Sequence, residues 1–187
     1  PEAMRELRPD HIRALGDDYL ALARMHRRAG APRFIDKMPN NFPNVGLIAL
    51  MLPNAKIIDA RRHPMACCFS AFKQHFAHGQ RFSYDLRDLG RYYADYVRLM
   101  AHIDRVLPGR IHRVSYERMV DNTEDEVRAL LDYCDVPFEE GCLSFYKNER
   151  AALTLDYRRA HSDPDATDLE VAAACEAILD LIGSATS

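Results

Sequence analysis

Residues 55–60, AKIIDA, form a short apolar run, and this run constrains the fold more than any other stretch. An apolar helix pattern, NVGLIALML at 44–52, stops at Pro53 just before it. A second helix pattern over 64–78 begins just after it, with Pro64 suited to a first helical position. With the strand candidate RFID at 33–36, the order strand, helix, strand, helix is typical of a βαβ unit, so we expect an α/β fold with a parallel sheet flanked by helices in three layers.

Further patterns extend this fold along the chain. Two more short runs, RFID at 33–36 and RIHRVSY at 110–116, predict strands. Helices are predicted over 10–28 with Asp10 as N-cap, along the apolar stripe from Leu86 to Leu107, after Thr123 in a capping box with Glu126, and near 169–182. We expect one domain over 1–187, with a weaker pattern over 150–187 and a loop at 161–168.

Composition and charge exclude several classes of protein. The chain has 187 residues, a net charge of −3 and a pI of about 6.3, which argue against a nucleic-acid partner. Apolar runs stay well below the roughly 20 residues that span a bilayer. The five cysteines, an odd number, favour buried thiols in the cytoplasm over a disulfide framework. Cys67 and Cys68 would point about 100° apart on a helix and no CxxC pair exists, so we expect no metal.

Arg62 and Ser70 stand out as candidate anion ligands. Arg62 follows the predicted strand, at the edge where α/β folds bind ligands. Ser70 falls outside the apolar stripe that Phe69, Phe72 and Phe76 would form on the helix. A guanidinium fork suits phosphate oxygens, and the serine hydroxyl lies about 9 Å further along the helix axis. The alternative is that Arg62 pairs with a surface carboxylate and Ser70 is solvated.

Several motifs in sequence order resemble the sulfotransferase family. They are DKMPNN at 36–41, LPNAKIIDARRHP at 52–64, Ser70 eight residues after Arg62, and VSYERM at 114–119 with the segment that follows to 150. The likeness covers roughly residues 10–150 and is greatest to the bacterial branch that is often fused to tetratricopeptide repeats. The family fold resembles that of P-loop NTPases.

The resemblance implies sulfuryl transfer from 3′-phosphoadenosine 5′-phosphosulfate (PAPS) to an acceptor hydroxyl or amine. Arg62 and Ser70 match the pair that holds the 3′-phosphate of the donor, and Lys37 matches a lysine near the sulfuryl group. Tyr116 resembles a tyrosine near the adenine, although a core tyrosine at a strand end is an equal alternative. Glu117 is interpreted as structural, bonded to the neighbouring backbone turn.

The sequence also departs from the family pattern. Its glycines never gather into the Gly/Ser/Thr-rich loop that cradles the 5′-phosphosulfate, which predicts an N-terminally truncated domain that is inactive alone. The alternatives are a non-catalytic nucleotide-binding or interaction module and, less favoured, another phosphate-binding α/β protein such as a nucleotide kinase. The acceptor, whether a small molecule, peptide or glycan, is not specified, and the link at 78–85 is a candidate wall of its site.

Overall fold

The computed structural model describes residues 7–25, 32–74, 76 and 80–147. The chain divides into two compact units, with the division after Ile57, and each unit is described by itself. The single domain over 1–187 stays a prediction. The loop at 161–168 and the helix near 169–182 lie outside the described residues.

The first unit contains two helices, α1 (Pro9–Arg24) and α2 (Val45–Met51), with a 3-10 turn at Phe42–Asn44 before α2. Helix α1 begins one residue earlier than predicted, because Pro9 occupies its first turn and Arg8 is the N-cap. Asp10 as N-cap was therefore wrong. Its carboxylate lies in the first turn instead, where a negative charge is favourable near the helix dipole.

A close approach between α1 and α2 depends on Gly16. This glycine is buried, and a Cβ placed there would meet the main-chain carbonyl oxygen of Met51. The Leu52 side chain would lie 3.7 Å from the same Cβ. Only hydrogen in place of a side chain lets the two backbones pack at this distance.

The strand predicted at 33–36 was wrong. The structure has irregular backbone there, and all residues from 32 to 40 are exposed. Ile35 is 93% exposed, so the apolar pair at its centre does not form a buried strand face. A strand also needs a hydrogen-bonded partner, and the sheet in the described residues consists of two other strands.

The second unit is built on strands β1 (Ile57–Arg61) and β2 (Ile111–Ser115), which pair in a parallel sheet. The predicted α/β class with a parallel sheet is confirmed. Between the strands lie helices α3 (Pro64–Lys73) and α4 (Leu86–Val106) with a 3-10 turn at Arg81–Tyr84. After β2 come α5 (Tyr116–Asp121), α6 (Thr123–Tyr133) and a 3-10 segment at Glu140–Lys147.

Helix α3 packs on α4 through a different face from the one predicted. Cys68, 2% exposed, and Leu89, 3% exposed, form the centre of this cluster. Half-buried neighbours complete it: Met65, Ala71, Phe82, Leu86 and Tyr93. Phe72 is 39% exposed, so the predicted phenylalanine stripe was wrong and the small thiol of Cys68 takes the core position. Strand β1 is half-buried rather than buried, since Ile58 is 45% exposed.

Several helix ends differ from the predictions. Helix α3 ends at Lys73 and not at 78, because Gln74 adopts an extended conformation. The capping box at Thr123 was wrong, since its hydroxyl donates to the carbonyl oxygen of Met119 at 2.8 Å. Glu126 is buried and pairs with Arg118 at 2.5 Å instead.

Helix α4 is capped as its sequence allows. The Asp85 carboxylate accepts the N–H groups of Arg87 and Asp88, which satisfies two of the free donors of the first turn. Helix α4 is the longest helix described, and within the described ranges no helix combines the length and apolar character needed to cross a membrane.

Candidate functional site

Arg62 and His63 connect the end of β1 to the start of α3. The Arg62 side chain is exposed, and its guanidinium carbon lies 5.0 Å from the centroid of the Tyr116 ring. This is the distance of a cation–π contact, which holds the guanidinium over the ring face. Within the described residues Arg62 forms no ion pair with a carboxylate, so the predicted alternative of a surface salt bridge is not what the structure shows there.

Tyr116 is the first residue of α5, directly after β2. Because β1 and β2 are parallel neighbours, their carboxyl ends lie at the same edge of the sheet, and Arg62 and Tyr116 meet there. Tyr116 is 54% exposed. The core alternative for Tyr116 is therefore wrong, while the role near an adenine stays a prediction.

Glu117 joins the two strand ends through its carboxylate. One oxygen accepts the backbone N–H of His63 at 2.8 Å, and the other accepts the hydroxyl of Ser115 at 3.1 Å. The His63 bond, together with the backbone N–H of Glu117 itself, holds the pKa of this carboxyl below its usual range. A carboxylate with a lowered pKa is a weak proton acceptor, so Glu117 is poorly suited to activate an acceptor. The predicted bond to a neighbouring backbone turn is confirmed, although its backbone partner lies 54 residues away in the sequence.

Ser70 is half-buried on α3, two residues beyond the core residue Cys68. Two helical residues correspond to about 200°, so Ser70 lies on the side of α3 away from the cluster. Lys73 shares that general side, with its ammonium 5.4 Å from the centroid of Phe69. Ser70 is thus not a core residue, as predicted. Its convergence with Arg62 on one anion stays a prediction.

Arg61, next to Arg62, belongs to a separate polar network. Its Nε donates to the Asp59 carboxylate at 2.8 Å, and its guanidinium carbon lies 4.9 Å from the Tyr96 ring centroid. The Asp59 carboxylate also accepts the Tyr96 hydroxyl at 2.5 Å and Nε of Arg113 at 3.3 Å. Arg113 reaches Asp104 on α4 as well, at 2.7 Å. This network ties β1, β2 and α4 together.

The protonation of this network is set by burial. Desolvation, followed by the bond to Asp59 and the charge of that carboxylate, raises the pKa of Tyr96 well above its usual range. Tyr96 therefore stays a neutral donor at any ordinary pH. Asp59 has a 9% exposed side chain and is satisfied by three donors, which is what a buried charge requires.

Lys37 lies in the first unit, in the irregular segment between α1 and the 3-10 turn, and is exposed. The preceding residue, Asp36, accepts the Tyr19 hydroxyl at 2.6 Å, which ties this segment to α1. Desolvation and the bond to Asp36 raise the pKa of Tyr19 to about 12. The backbone beside Lys37 is therefore held at one point by a neutral tyrosine.

Asn40 and Asn41, which follow Lys37 in the sequence, have local structural roles. Asn40 has φ +58°, a left-handed conformation that asparagine tolerates better than most residues. Asn41 is the N-cap of the 3-10 turn, but its side chain makes no bond to the turn N–H groups. Its Oδ1 accepts the side-chain amide of Asn44 at 2.9 Å instead.

Two further features bear on ligands. A groove of about 530 Å³ in the first unit is lined mainly by apolar side chains: Tyr19, Leu22, Ala23, Met25, Phe34, Ile35 and Asp36. In the second unit, the described part of the link at 78–85 is a packed turn, since Ser83 is fully buried and Phe82 stacks on Tyr92 at 3.9 Å. No group of three or more His, Cys, Asp or Glu in the described part of the chain has the geometry for a metal ion.

Sequence reasoning did not find the Asp59 network or the partner of Glu117. A visible signal existed for Asp59, because a carboxylate inside the apolar run AKIIDA needs a buried partner. The Glu117 bond left no local signal, since His63 is 54 residues away and offers a backbone N–H that any residue would supply.

Comparison with known proteins identifies the family and the fold of the chain. The model of the sulfotransferase family matches residues 1–140. An uncharacterized protein of Aquifex aeolicus (strain VF5) is 35% identical over 163 residues, which is 85% of this chain and 21% of that protein. The chain thus spans about a fifth of the length of this relative. A solved structure, the sulfotransferase domain from the curacin biosynthetic pathway, has the same fold with a TM-score of 0.54 at 23% identity, covering 74% of this chain and 50% of that one.

Proposed function

The chain belongs to the sulfotransferase family, and on that premise we propose that it is the donor-binding part of an enzyme that moves a sulfuryl group from PAPS to an acceptor hydroxyl or amine. Arg62 and Ser70 bind the 3′-phosphate in this proposal, Tyr116 lies beside the adenine, and Lys37 serves the sulfuryl group. No metal takes part. The acceptor class, a small molecule, a peptide or a glycan, is left open.

One observation carries the proposal. An exposed arginine at the carboxyl end of a parallel strand lies over an exposed tyrosine at the end of the neighbouring strand. A guanidinium without a carboxylate partner in the described residues retains its donors for an anion, and an exposed aromatic ring offers a stacking surface for a base. A donor with both a 3′-phosphate and an adenine matches these two groups.

In the proposed reaction, this part of the chain binds the donor and stabilises negative charge. When bound, the donor supplies the sulfuryl group and leaves as adenosine 3′,5′-bisphosphate. Arg62 and Ser70 bind and orient it. The ammonium of Lys37 stabilises the negative charge that grows on the bridging oxygen as the S–O bond breaks. Glu117, with its lowered pKa, is not the acceptor-activating base.

Binding of adenosine 3′,5′-bisphosphate tests the proposal directly. We expect Arg62→Ala to weaken binding by about 10- to 100-fold, the range of a charge-assisted hydrogen bond, and Ser70→Ala by about tenfold or less. Arg98→Ala is the matched control, because Arg98 is an exposed arginine whose one ion pair in the described part of the chain is with Asp95. Equal affinity of the parent chain, Arg62→Ala and Ser70→Ala would refute the 3′-phosphate site.

Lys37 is tested by the rate of transfer and not by binding. In the intact protein, Lys37→Ala should lower kcat by about 10²- to 10³-fold, as for other transition-state donors, while the affinity for adenosine 3′,5′-bisphosphate is retained. A loss of affinity with unchanged kcat would contradict this role.

The wider setting is also part of the proposal. The chain spans about a fifth of the curated relative, so the activity of the whole protein, a fusion to tetratricopeptide repeats and a cytoplasmic location are proposed and not established. A non-catalytic nucleotide-binding module would bind adenosine 3′,5′-bisphosphate in the same way, and the kcat measurement on the intact protein separates it from the enzyme.

A further inference from the structure

The two consecutive residues Tyr116 and Glu117 contact the two consecutive residues Arg62 and His63. The Tyr116 ring lies under the Arg62 guanidinium, at 5.0 Å, and the Glu117 carboxylate accepts the His63 N–H at 2.8 Å. The start of α5 therefore holds both the side chain and the backbone of the turn that follows β1.

The His63 N–H falls at a position where regular structure offers it no acceptor. Strand β1 ends at Arg61, and His63 is the N-cap of α3. An N-cap residue contributes its carbonyl to the helix, and that of His63 accepts the N–H of Cys67 at 2.9 Å. Its N–H must be satisfied from elsewhere, and Glu117 satisfies it. His63 is thus fixed on both sides, which leaves the backbone of Arg62 little freedom.

Glu117 itself is held firmly enough to act as an anchor. Its second oxygen accepts the Ser115 hydroxyl at 3.1 Å, and its own backbone N–H helps to lower the pKa of the carboxyl. These donors offset the negative charge, so the carboxylate can lie near an anion site with less repulsion than a free one.

We propose that Glu117 is a positioning residue for Arg62: its carboxylate fixes the His63 backbone so that the guanidinium, resting on Tyr116, is preorganised for a 3′-phosphate. This inference rests on the proposed function. An arginine side chain loses rotamer freedom when it binds, and a turn that already restricts it lowers that cost. Glu117 acts through Arg62 and touches no ligand.

The test compares two ligands on the whole chain by calorimetry. Adenosine 3′,5′-bisphosphate contains the 3′-phosphate, and adenosine 5′-monophosphate lacks it. The Kd of the monophosphate divided by the Kd of the bisphosphate therefore measures the selectivity for the 3′-phosphate. We expect Glu117→Ala to lower this ratio about tenfold, the effect of one weakened charge-assisted contact, with little change in the Kd of the monophosphate. Glu117→Gln keeps one carbonyl acceptor for the His63 N–H, so its ratio of Kd values should lie between those of the parent and Glu117→Ala.

A matched control and a double variant separate positioning from stability. Glu124→Ala removes an exposed glutamate that pairs with Arg128 on α6, and it should leave the ratio unchanged. In an Arg62→Ala background, Glu117→Ala should lower the ratio no further, because the two residues act on the same contact. A purely structural Glu117 would lower the Tm in either background and leave the ratio alone.

The outcomes are distinguishable. If Arg62→Ala lowers the ratio and Glu117→Ala and Glu117→Gln do not, the positioning role is overturned and the proposed function stands. If the parent chain shows a ratio of one, the proposed 3′-phosphate site fails and the positioning role fails with it. If Glu117→Ala does not fold, the Glu117→Gln variant decides, and a ratio equal to that of the parent overturns the role.

Discussion

Arg61 and Arg62 are adjacent in the sequence and lie in two different regions of the molecule. Arg61 has a 21% exposed side chain, pairs with Asp59 and stacks on Tyr96. Arg62, one residue later, is exposed and rests on Tyr116. Alternation along the strand explains the difference, since Asp59 and Arg61 share one face of β1. An arginine side chain thus stabilises the fold at one position, and at the next it is exposed without a carboxylate partner in the described residues.

The largest effect is expected when the Asp59 carboxylate is removed. Asp59→Ala leaves Tyr96, Arg61 and Arg113 without their shared acceptor, and because these partners are only partly buried we expect a loss of about 3 kcal/mol, at the lower end for a broken buried pair. Urea unfolding of the variant measures this loss. Asp95→Ala, which removes an exposed carboxylate paired with Arg98, is the control and should cost about 0.5 kcal/mol or less. Equal losses in the two variants would show that the Asp59 network does not stabilise the second unit.

Removal of one donor from the same network should have a smaller effect. Tyr96→Phe deletes the hydroxyl that Asp59 accepts and keeps the ring under Arg61. The expected loss is about 1.5–3 kcal/mol in unfolding free energy, as for a hydrogen bond to a charged group. Tyr93→Phe on the same helix is the matched control, since the Tyr93 ring packs edge-on against Tyr96 and keeps that contact without its hydroxyl.

Lysine substitutions test directly whether Arg62 acts in ligand binding and Arg61 in stability. Lysine keeps the charge and loses the planar fork, so Arg62→Lys should weaken binding of adenosine 3′,5′-bisphosphate about tenfold with an unchanged Tm. Arg61→Lys should do the reverse, lowering the Tm by roughly 2–4 °C for each kcal/mol lost and leaving affinity unchanged. If both variants lose affinity alike, the division of roles between the arginines is wrong.

A smaller effect is expected in the pH dependence of the unfolding free energy that Glu117 contributes. Its pKa is lowered in the folded chain, chiefly by the His63 N–H, so its contribution to stability is present above the pKa of an unfolded glutamate and is lost as the pH falls through the folded pKa. Glu117→Gln resembles the protonated form. The difference in unfolding free energy between the parent and Glu117→Gln should therefore shrink from pH 7 towards acidic pH, whereas a difference that is constant with pH would contradict the bond.

The smallest effect concerns the adjacent cysteines. Burial raises the pKa of Cys68 to about 12, and Cys67 is exposed. Alkylation of the native chain, mapped by peptide mass, should label Cys67 before Cys68, because the thiolate is the reactive form and needs access to the reagent. Labelling of Cys68 first would mean that the cluster around it opens more readily than its 2% exposure implies.

Local sequence patterns were reliable where one element decides its own structure. The breakers Pro53 and Pro64 bounded β1 and started α3 close to the predicted residues, and the apolar spacing along α4 gave that helix. The pattern at 33–36 failed because a strand depends on a partner, and Ile35 is exposed without one in the described sheet. The predicted capping box was wrong because the Glu126 carboxylate pairs with Arg118 and does not bond the N–H at the helix start.

In the candidate site, too, the residue types could be predicted from the sequence, whereas their contacts could not. Arg62, Ser70, Lys37 and Tyr116 were selected by residue type and by motif order, which a sequence contains in full. The stacking of Arg62 on Tyr116, the Glu117 bond to His63 and the contrast between Arg61 and Arg62 depend on residues that the sequence places far apart.

The order of amino acids was enough to indicate an α/β protein with a parallel sheet and a resemblance to sulfotransferases, because breakers, apolar periods and ordered motifs are local properties of the chain. Tertiary pairing distinguishes the half-buried Arg61 from the exposed Arg62, since β1 and β2 had to pair before Asp59 could meet Arg113 and Arg62 could meet Tyr116. Contacts across 54 residues depend on that pairing, and no single segment encodes them.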